Sequence, residues 1–160
     1  GGDNSNILAV HSLSKRSNLA GYRAAFVVGD AQLIAQILEV RKHAGMMVPL
    51  PIQKAMIAAL SDSVHVTEQR ARYNARKAAL IPALTEAGFT IEHSEAGLYL
   101  WATRNEDCWQ SVSWLASLGV IATPGIFYGE RGARHIRIAM TATDDQINEA
   151  AHRITAAVKE

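Results

Sequence analysis

The chain has 160 residues, 49% of them hydrophobic, with 16 basic and 15 acidic side chains. That length suits one domain of about 100–200 residues, and the apolar fraction excludes a disordered segment. A formal net charge of +1 with scattered cations gives no electrostatic ground for nucleic acid or an anionic membrane as partner.

No apolar run approaches the roughly 20 residues that span a bilayer, and the first residues lack a secretory signal pattern. The one cysteine, Cys108, has no internal partner for a disulfide, which points to a reducing, cytoplasmic compartment. The whole reads as an α/β chain.

In chain order, Asn6 to Val10 reads as a short buried strand. Ser12 to Asn18 is a loop dense in hydroxyls and cations, and Ala24 to Val28 is a second strand. Asp30 is placed to cap a helix with Leu33, Ile34, Ile37 and Leu38 on one face. Met46 to Pro51, with two prolines, is expected to be extended. Ile52 to Leu60 is an Ala-rich helix facing inward through Ile52, Met56, Ala59 and Leu60.

Val66 to Ala87 is a long helix, with a kink expected at Pro82 and an end at Gly88. Phe89 to Thr103 is a hairpin turning near Ala96-Gly97, with Leu98 and Leu100 alternating against Tyr99 and Trp101. Cys108, Val112, Leu115 and Leu118 have helical spacing, which makes Cys108 a small core residue. Val120 to Ala122 reads as a strand, Thr123-Pro124-Gly125 as a turn, and His135 to Met140 as another strand. Thr143 and Gln146 fit a capping box ahead of a helix with Ile147, Ala150, Ala151, Ile154 and Val158 on one face. The second half is therefore a small α+β layer structure.

One stretch carries chemistry: Ser12-Leu13-Ser14-Lys15-Arg16-Ser17-Asn18-Leu19-Ala20-Gly21-Tyr22-Arg23-Ala24-Ala25. A lysine at the mouth of a strand offers an amine nucleophile. An arginine eight residues later offers a planar fork for phosphate oxygens, and Ser12 adds a hydroxyl donor. On residue types alone, a basic surface loop between two strands remains open as the alternative. The order Ser-x-Ser-Lys-x-x-Asn-Leu-x-Gly-x-Arg-Ala-Ala, however, resembles the lysine signature of the class I/II aminotransferases. These are pyridoxal-phosphate enzymes of fold type I.

That resemblance implies that Lys15 forms the Schiff base with the cofactor aldehyde, and that Ser12 and Arg23 hold the phosphate. Farther on, Gly119-Val120, Thr123-Pro124-Gly125, Phe127-x-Gly129 and His135-Ile136-Arg137-Ile138-Ala139 resemble the small-domain core of the same family. Arg137 takes the place of the arginine that binds the substrate α-carboxylate. In a strand it alternates with Ile136 and Ile138 and so points away from the face those two line. A solvent-facing strand arginine is the bland alternative. The six histidines show no metal-ligand spacing, so no metal is expected.

The resemblance also implies an architecture. Residues 1–65 would be the C-terminal end of the pyridoxal-phosphate-binding large domain and its sheet. Residues 66–160 would be an interdomain helix and the small α+β C-terminal domain. The residues that stack on the cofactor ring or pair with its nitrogen have no counterpart here, so this chain alone is expected to be inactive and poorly stable.

Lys42 to Pro51, with Gln53, His65-Val66 and Gln69-x-x-x-Tyr73, resembles the actinobacterial succinyldiaminopimelate aminotransferases. Their reaction, with 2-oxoglutarate and glutamate, serves lysine and diaminopimelate biosynthesis, and the implied assembly is a homodimer. Related C–S lyases, cyclopropane-carboxylate synthases, aspartate or aromatic aminotransferases, and regulators with an aminotransferase-like effector domain share the lysine motif.

Overall fold

The computed structural model describes residues 2–159, which form a mixed α/β architecture dividing after Glu68 into two compact units. No helix among the described residues is long and apolar enough to cross a membrane.

In the first unit, β1 (Leu8–Ser12) pairs antiparallel with β2 (Ala25–Gly29), from Leu8 opposite Gly29 to Ser12 opposite Ala25. The connection holds a single helical turn, α1 (Leu13–Arg16), and a 3-10 turn at Ala20–Tyr22. Asp30 caps α2 (Ala31–His43), its Oδ1 accepting from the amides of Gln32 at 2.8 Å and Leu33 at 3.2 Å. Its other oxygen accepts from the Asn6 amide at 2.8 Å and so ties the cap to the approach of β1.

The helix α3 (Leu50–Ser61) starts earlier than the prolines suggest. Pro51 sits in its first turn, where a missing N–H costs nothing because that group has no intrahelical acceptor. A small core of Leu13, Ala24 and Met56 closes the unit, with Ile52, Ala59 and Phe26 packed against it.

Several expected burials in this unit are corrected by the structure. Every residue of β1 is exposed, Val10 at 72%, since β1 pairs with β2 alone among the described residues. Leu38 and Leu60 are exposed as well: no residue of α2 belongs to the small core, and α3 enters it through Ile52, Met56 and Ala59.

The helix α4 (Val64–Glu86) begins in the first unit and continues into the second, with Pro82 inside it. Its end is a full Schellman motif. Phe89 N–H donates to the Leu84 carbonyl at 2.9 Å and Gly88 N–H to the Thr85 carbonyl at 3.0 Å, with Gly88 at φ +84°.

The second unit is a four-stranded antiparallel sheet in the order β3-β4-β6-β5. Its strands are β3 (Thr90–Glu92), β4 (Tyr99–Thr103), β5 (Thr123–Pro124) and β6 (Ile136–Ala139). α5 (Cys108–Ser117) and α6 (Asp144–Lys159) join α4 on its apolar face. Leu100, Ala102, Ile136, Ile138 and Met140 bury against Leu80, Leu84, Leu115, Ile147 and Ile154. At about 1.5–3 kcal/mol per buried large aliphatic side chain, this core outweighs the small one of the first unit. Cys108 lies in it, 1% exposed.

The edge strand falls later than the sequence pattern suggests. Val120 N–H is taken by the Leu115 carbonyl at 2.9 Å, which finishes α5, and Ile121 is 92% exposed. Pairing with β6 therefore begins only at Thr123, opposite Arg137. The capping box at α6 is reciprocal: Gln146 N–H donates to Thr143 Oγ1 at 3.3 Å, and Thr143 N–H donates to Gln146 Oε1 at 3.1 Å. Val158, near the end of α6, is 40% exposed and lies off the buried face.

Candidate functional site

Three of the four candidate residues share one end of the β1–β2 ribbon. Ser12 is the last residue of β1 and the N-cap of α1, its Oγ accepting from the Ser14 amide at 3.1 Å. Lys15 stands in the turn that Ser12 caps, with its side chain exposed. Arg23 lies two residues before β2, in the left-handed region at φ +50°, and folds Nη1 back onto the Ala20 carbonyl at 2.9 Å.

The chain between Ser12 and Arg23 carries three cations, Lys15, Arg16 and Arg23, and no acid. An open cleft of about 640 Å³ runs from Arg23 along Gly21, Tyr22 and Val27 to Arg41, Met47 and Ile52. The Lys15 amine, the Arg23 guanidinium and the Ser12 hydroxyl suit an anionic ligand with an electrophilic carbon, whereas Arg16 is turned to the Ala59 carbonyl and Ser17.

Arg137 belongs to the other unit. It lies on β6 opposite Trp101 of β4 and Thr123 of β5, on the sheet face away from the core. Its guanidinium carbon is 4.1 Å from the Tyr99 ring centre and 5.1 Å from that of Tyr128. The buried Nε of Arg137 has no hydrogen-bond partner, which suits a group kept for an external acceptor.

Neighbours complete this face. His135 stacks on Trp101 with ring centres 5.0 Å apart and an 8° tilt, and its Nε2 lies 3.1 Å from Glu92 Oε2. Tyr128 meets Trp101 edge-on at 5.8 Å.

Sequence reasoning left His135, Glu92 and Tyr128 out of the site. The signal for His135 was present, since a strand residue two before Arg137 shares its face. Tyr128 reaches the site from the 3-10 turn Gly125–Tyr128, where no periodicity announces it. No group of three or more His, Cys, Asp or Glu side chains suited to a metal occurs among the described residues.

Residues 1–154 match the family described as aminotransferase class I and II. The chain belongs to that family. Probable aminotransferase Rv1178 of Mycobacterium tuberculosis is 59% identical over 154 residues, 96% of this chain and 37% of that protein. The 4-dedimethylamino-4-oxo-anhydrotetracycline transaminase OxyQ of Streptomyces rimosus is 59% identical over 155 residues, 97% of this chain and 43% of that protein.

An LL-diaminopimelate aminotransferase of Natranaerobius thermophilus is 34% identical over 148 residues, 90% of this chain and 38% of its own. Among solved structures, an aminotransferase from Neisseria meningitidis superposes with a TM-score of 0.87 at 31% identity, covering 98% of this chain and 42% of that one. This class I and II aminotransferase chain thus spans about two fifths of the length of the relatives it matches. Neither 59% relative carries a succinyldiaminopimelate name.

Proposed function

We propose that this chain serves as the C-terminal part of a pyridoxal-phosphate-dependent aminotransferase that moves an amino group between an amino acid and a 2-oxo acid. The observation that carries the reading is the common end of the β1–β2 ribbon, where Ser12, Lys15 and Arg23 offer hydroxyl, amine and guanidinium with no competing acid. Pyridoxal phosphate, when bound, supplies an aldehyde for the amino group and a ring that accepts the electrons released at the substrate α-carbon.

Lys15 Nζ anchors the aldehyde and, once free, carries a proton to and from the substrate α-carbon. Arg23 keeps one N–H on the Ala20 carbonyl and presents the rest of its fork to the phosphate, with the Ser12 hydroxyl, which here donates to Ser14 Oγ at 2.9 Å, turning to serve as a further donor. Arg137 grips the substrate α-carboxylate, and the Tyr99 and Tyr128 rings hold its plane without spending its donors.

For the substrate pair we propose N-succinyl-LL-2,6-diaminopimelate with 2-oxoglutarate and glutamate. The stretch from Lys42 to Pro51 supports it, as does the 34% relative named for LL-diaminopimelate. The 59% identity to OxyQ favours a second reading, in which the acceptor is a bulky cyclic ketone. Exposed Met46, Met47 and Leu50 in the same stretch support a homodimer.

The test is borohydride reduction of the protein as purified, followed by peptide mass mapping. A pyridoxyl adduct confined to Lys15 is the expected result in the full-length enzyme that this chain is proposed to complete, and adducts elsewhere or none in that enzyme would overturn the cofactor role. Parallel assays with the two acceptor classes decide the substrate.

A further inference from the structure

Asp62, His65 and Ser17 form a continuous hydrogen-bonded relay within the first unit. Asp62 Oδ2 lies 3.0 Å from His65 Nδ1, and His65 Nε2 lies 3.0 Å from Ser17 Oγ. An ionised carboxylate only accepts, so Nδ1 carries the hydrogen, and in the neutral ring Nε2 presents a lone pair to the serine hydroxyl. That is the arrangement of orienter, base and nucleophile in serine acyl transfer.

Two further contacts sharpen it. Asp62 is held separately, its Oδ1 accepting from the Val64 amide at 2.7 Å. That amide, then His65, keeps the Asp62 carboxyl below the ordinary carboxylate range. Arg16 Nη1 stands 3.3 Å from Ser17 Oγ and is pinned there by the Ala59 carbonyl at 3.2 Å. A fixed cation beside the oxygen favours negative charge on it. The His65 side chain is 34% exposed and Ser17 is half-buried, so the relay borders solvent. Position 17 is left open by the lysine signature, and the aminotransferase chemistry makes no use of it.

We propose that Ser17 is an activated nucleophile that takes an acyl group from small activated esters, with His65 as general base and Asp62 as its orienter. Ser17 Oγ bonds to the ester carbonyl carbon while its proton passes to His65 Nε2. The bond from that carbon to the alkoxy oxygen breaks, and the alcohol leaves with the proton from Nε2. Water then attacks the acyl-serine, Nε2 takes its proton and returns it to Ser17 Oγ, and the carboxylic acid is released. No cofactor enters, so this activity stands or falls apart from the aminotransferase reading.

The experiment treats the full chain with a fluorophosphonate, maps the adduct by peptide mass analysis, and follows p-nitrophenyl acetate hydrolysis for the rate. A single adduct on Ser17 is expected, absent in S17A. Removing the base in H65A or H65Q should slow labelling and hydrolysis about 100-fold or more, within the usual range for base catalysis, and D62N should slow them by a smaller factor. Circular dichroism reports whether each variant folds. His65→Gln serves where Ala at 65 does not fold, because it keeps a hydrogen-bonding group but accepts no proton. A folded H65Q that labels at the full rate would overturn the proposal. So would labelling at Ser12 or Ser14, no labelling, or acylation by p-nitrophenyl acetate at Lys15 in place of Ser17.

Discussion

Arg137 places its guanidinium 4.1 Å from the centre of the Tyr99 ring while its Nε stays buried without a partner. A cation over a ring is steadied by about 0.5–2 kcal/mol but keeps its donors free. The fork is thus positioned before any carboxylate arrives.

Arg137→Lys keeps the charge and loses the fork. Hydrogen bonds to charged groups are worth about 1.5–3 kcal/mol, so in the full-length enzyme that this chain is proposed to complete, KM for the amino acid should rise roughly 10- to 150-fold. Trapping of pyridoxal phosphate at Lys15 should not change. Steady-state kinetics alongside borohydride mapping separates the two effects, and an unchanged KM would remove Arg137 from the carboxylate role.

Gly125 and Gly132 meet backbone to backbone beside β6. A Cβ on Gly125 would run into the carbonyl oxygens of Gly132 and His135, the latter at 2.5 Å. Backbone has nowhere to yield here, because Gly125 N–H also donates to the His135 carbonyl at 2.7 Å. Gly125→Ala should destabilise the second unit by about 1–3 kcal/mol, the range for overpacking. Urea melts of the two proteins check this, and coincident curves would count against it.

Asp30 gives a pH dependence with a definite sign. The Asn6 amide first, then those of Leu33 and Gln32, hold its carboxyl below the ordinary value. A depressed folded pKa adds stability that is complete above the unfolded value and is lost as pH falls through the folded one. Asp30→Asn should therefore flatten the acid limb of the first unit's stability, below the ordinary carboxylate range. Thermal melts of both forms across acid pH would show it, and parallel curves would refute it.

The sequence made some of this legible for local reasons. Caps and helix ends were readable because Asp30, Thr143, Gln146 and Gly88 act within a few residues of themselves. Alternation along Ile136-Arg137-Ile138 was readable because a strand has period two. Burial in β1 was not, since an apolar run says what a strand prefers and not what covers it. The relay from Asp62 to Ser17 was equally invisible: its serine and histidine lie 48 positions apart, and no local periodicity joins them.

The uneven cores predict uneven protection. β1 and β2 form a two-stranded ribbon, β1 exposed along its whole length, and such ribbons are marginal in water. β4 and β6 are central strands of a four-stranded sheet with Leu100, Ile136 and Ile138 almost fully buried. Local opening follows buried apolar contact, so amides of β1 and β2 should exchange with solvent far faster than those of β4 and β6. Hydrogen-exchange mass spectrometry at neutral pH reads the difference directly. Equal protection in the two pairs would mean that something outside these cores holds the ribbon, for which a second copy of the chain is the first candidate to test by varying protein concentration.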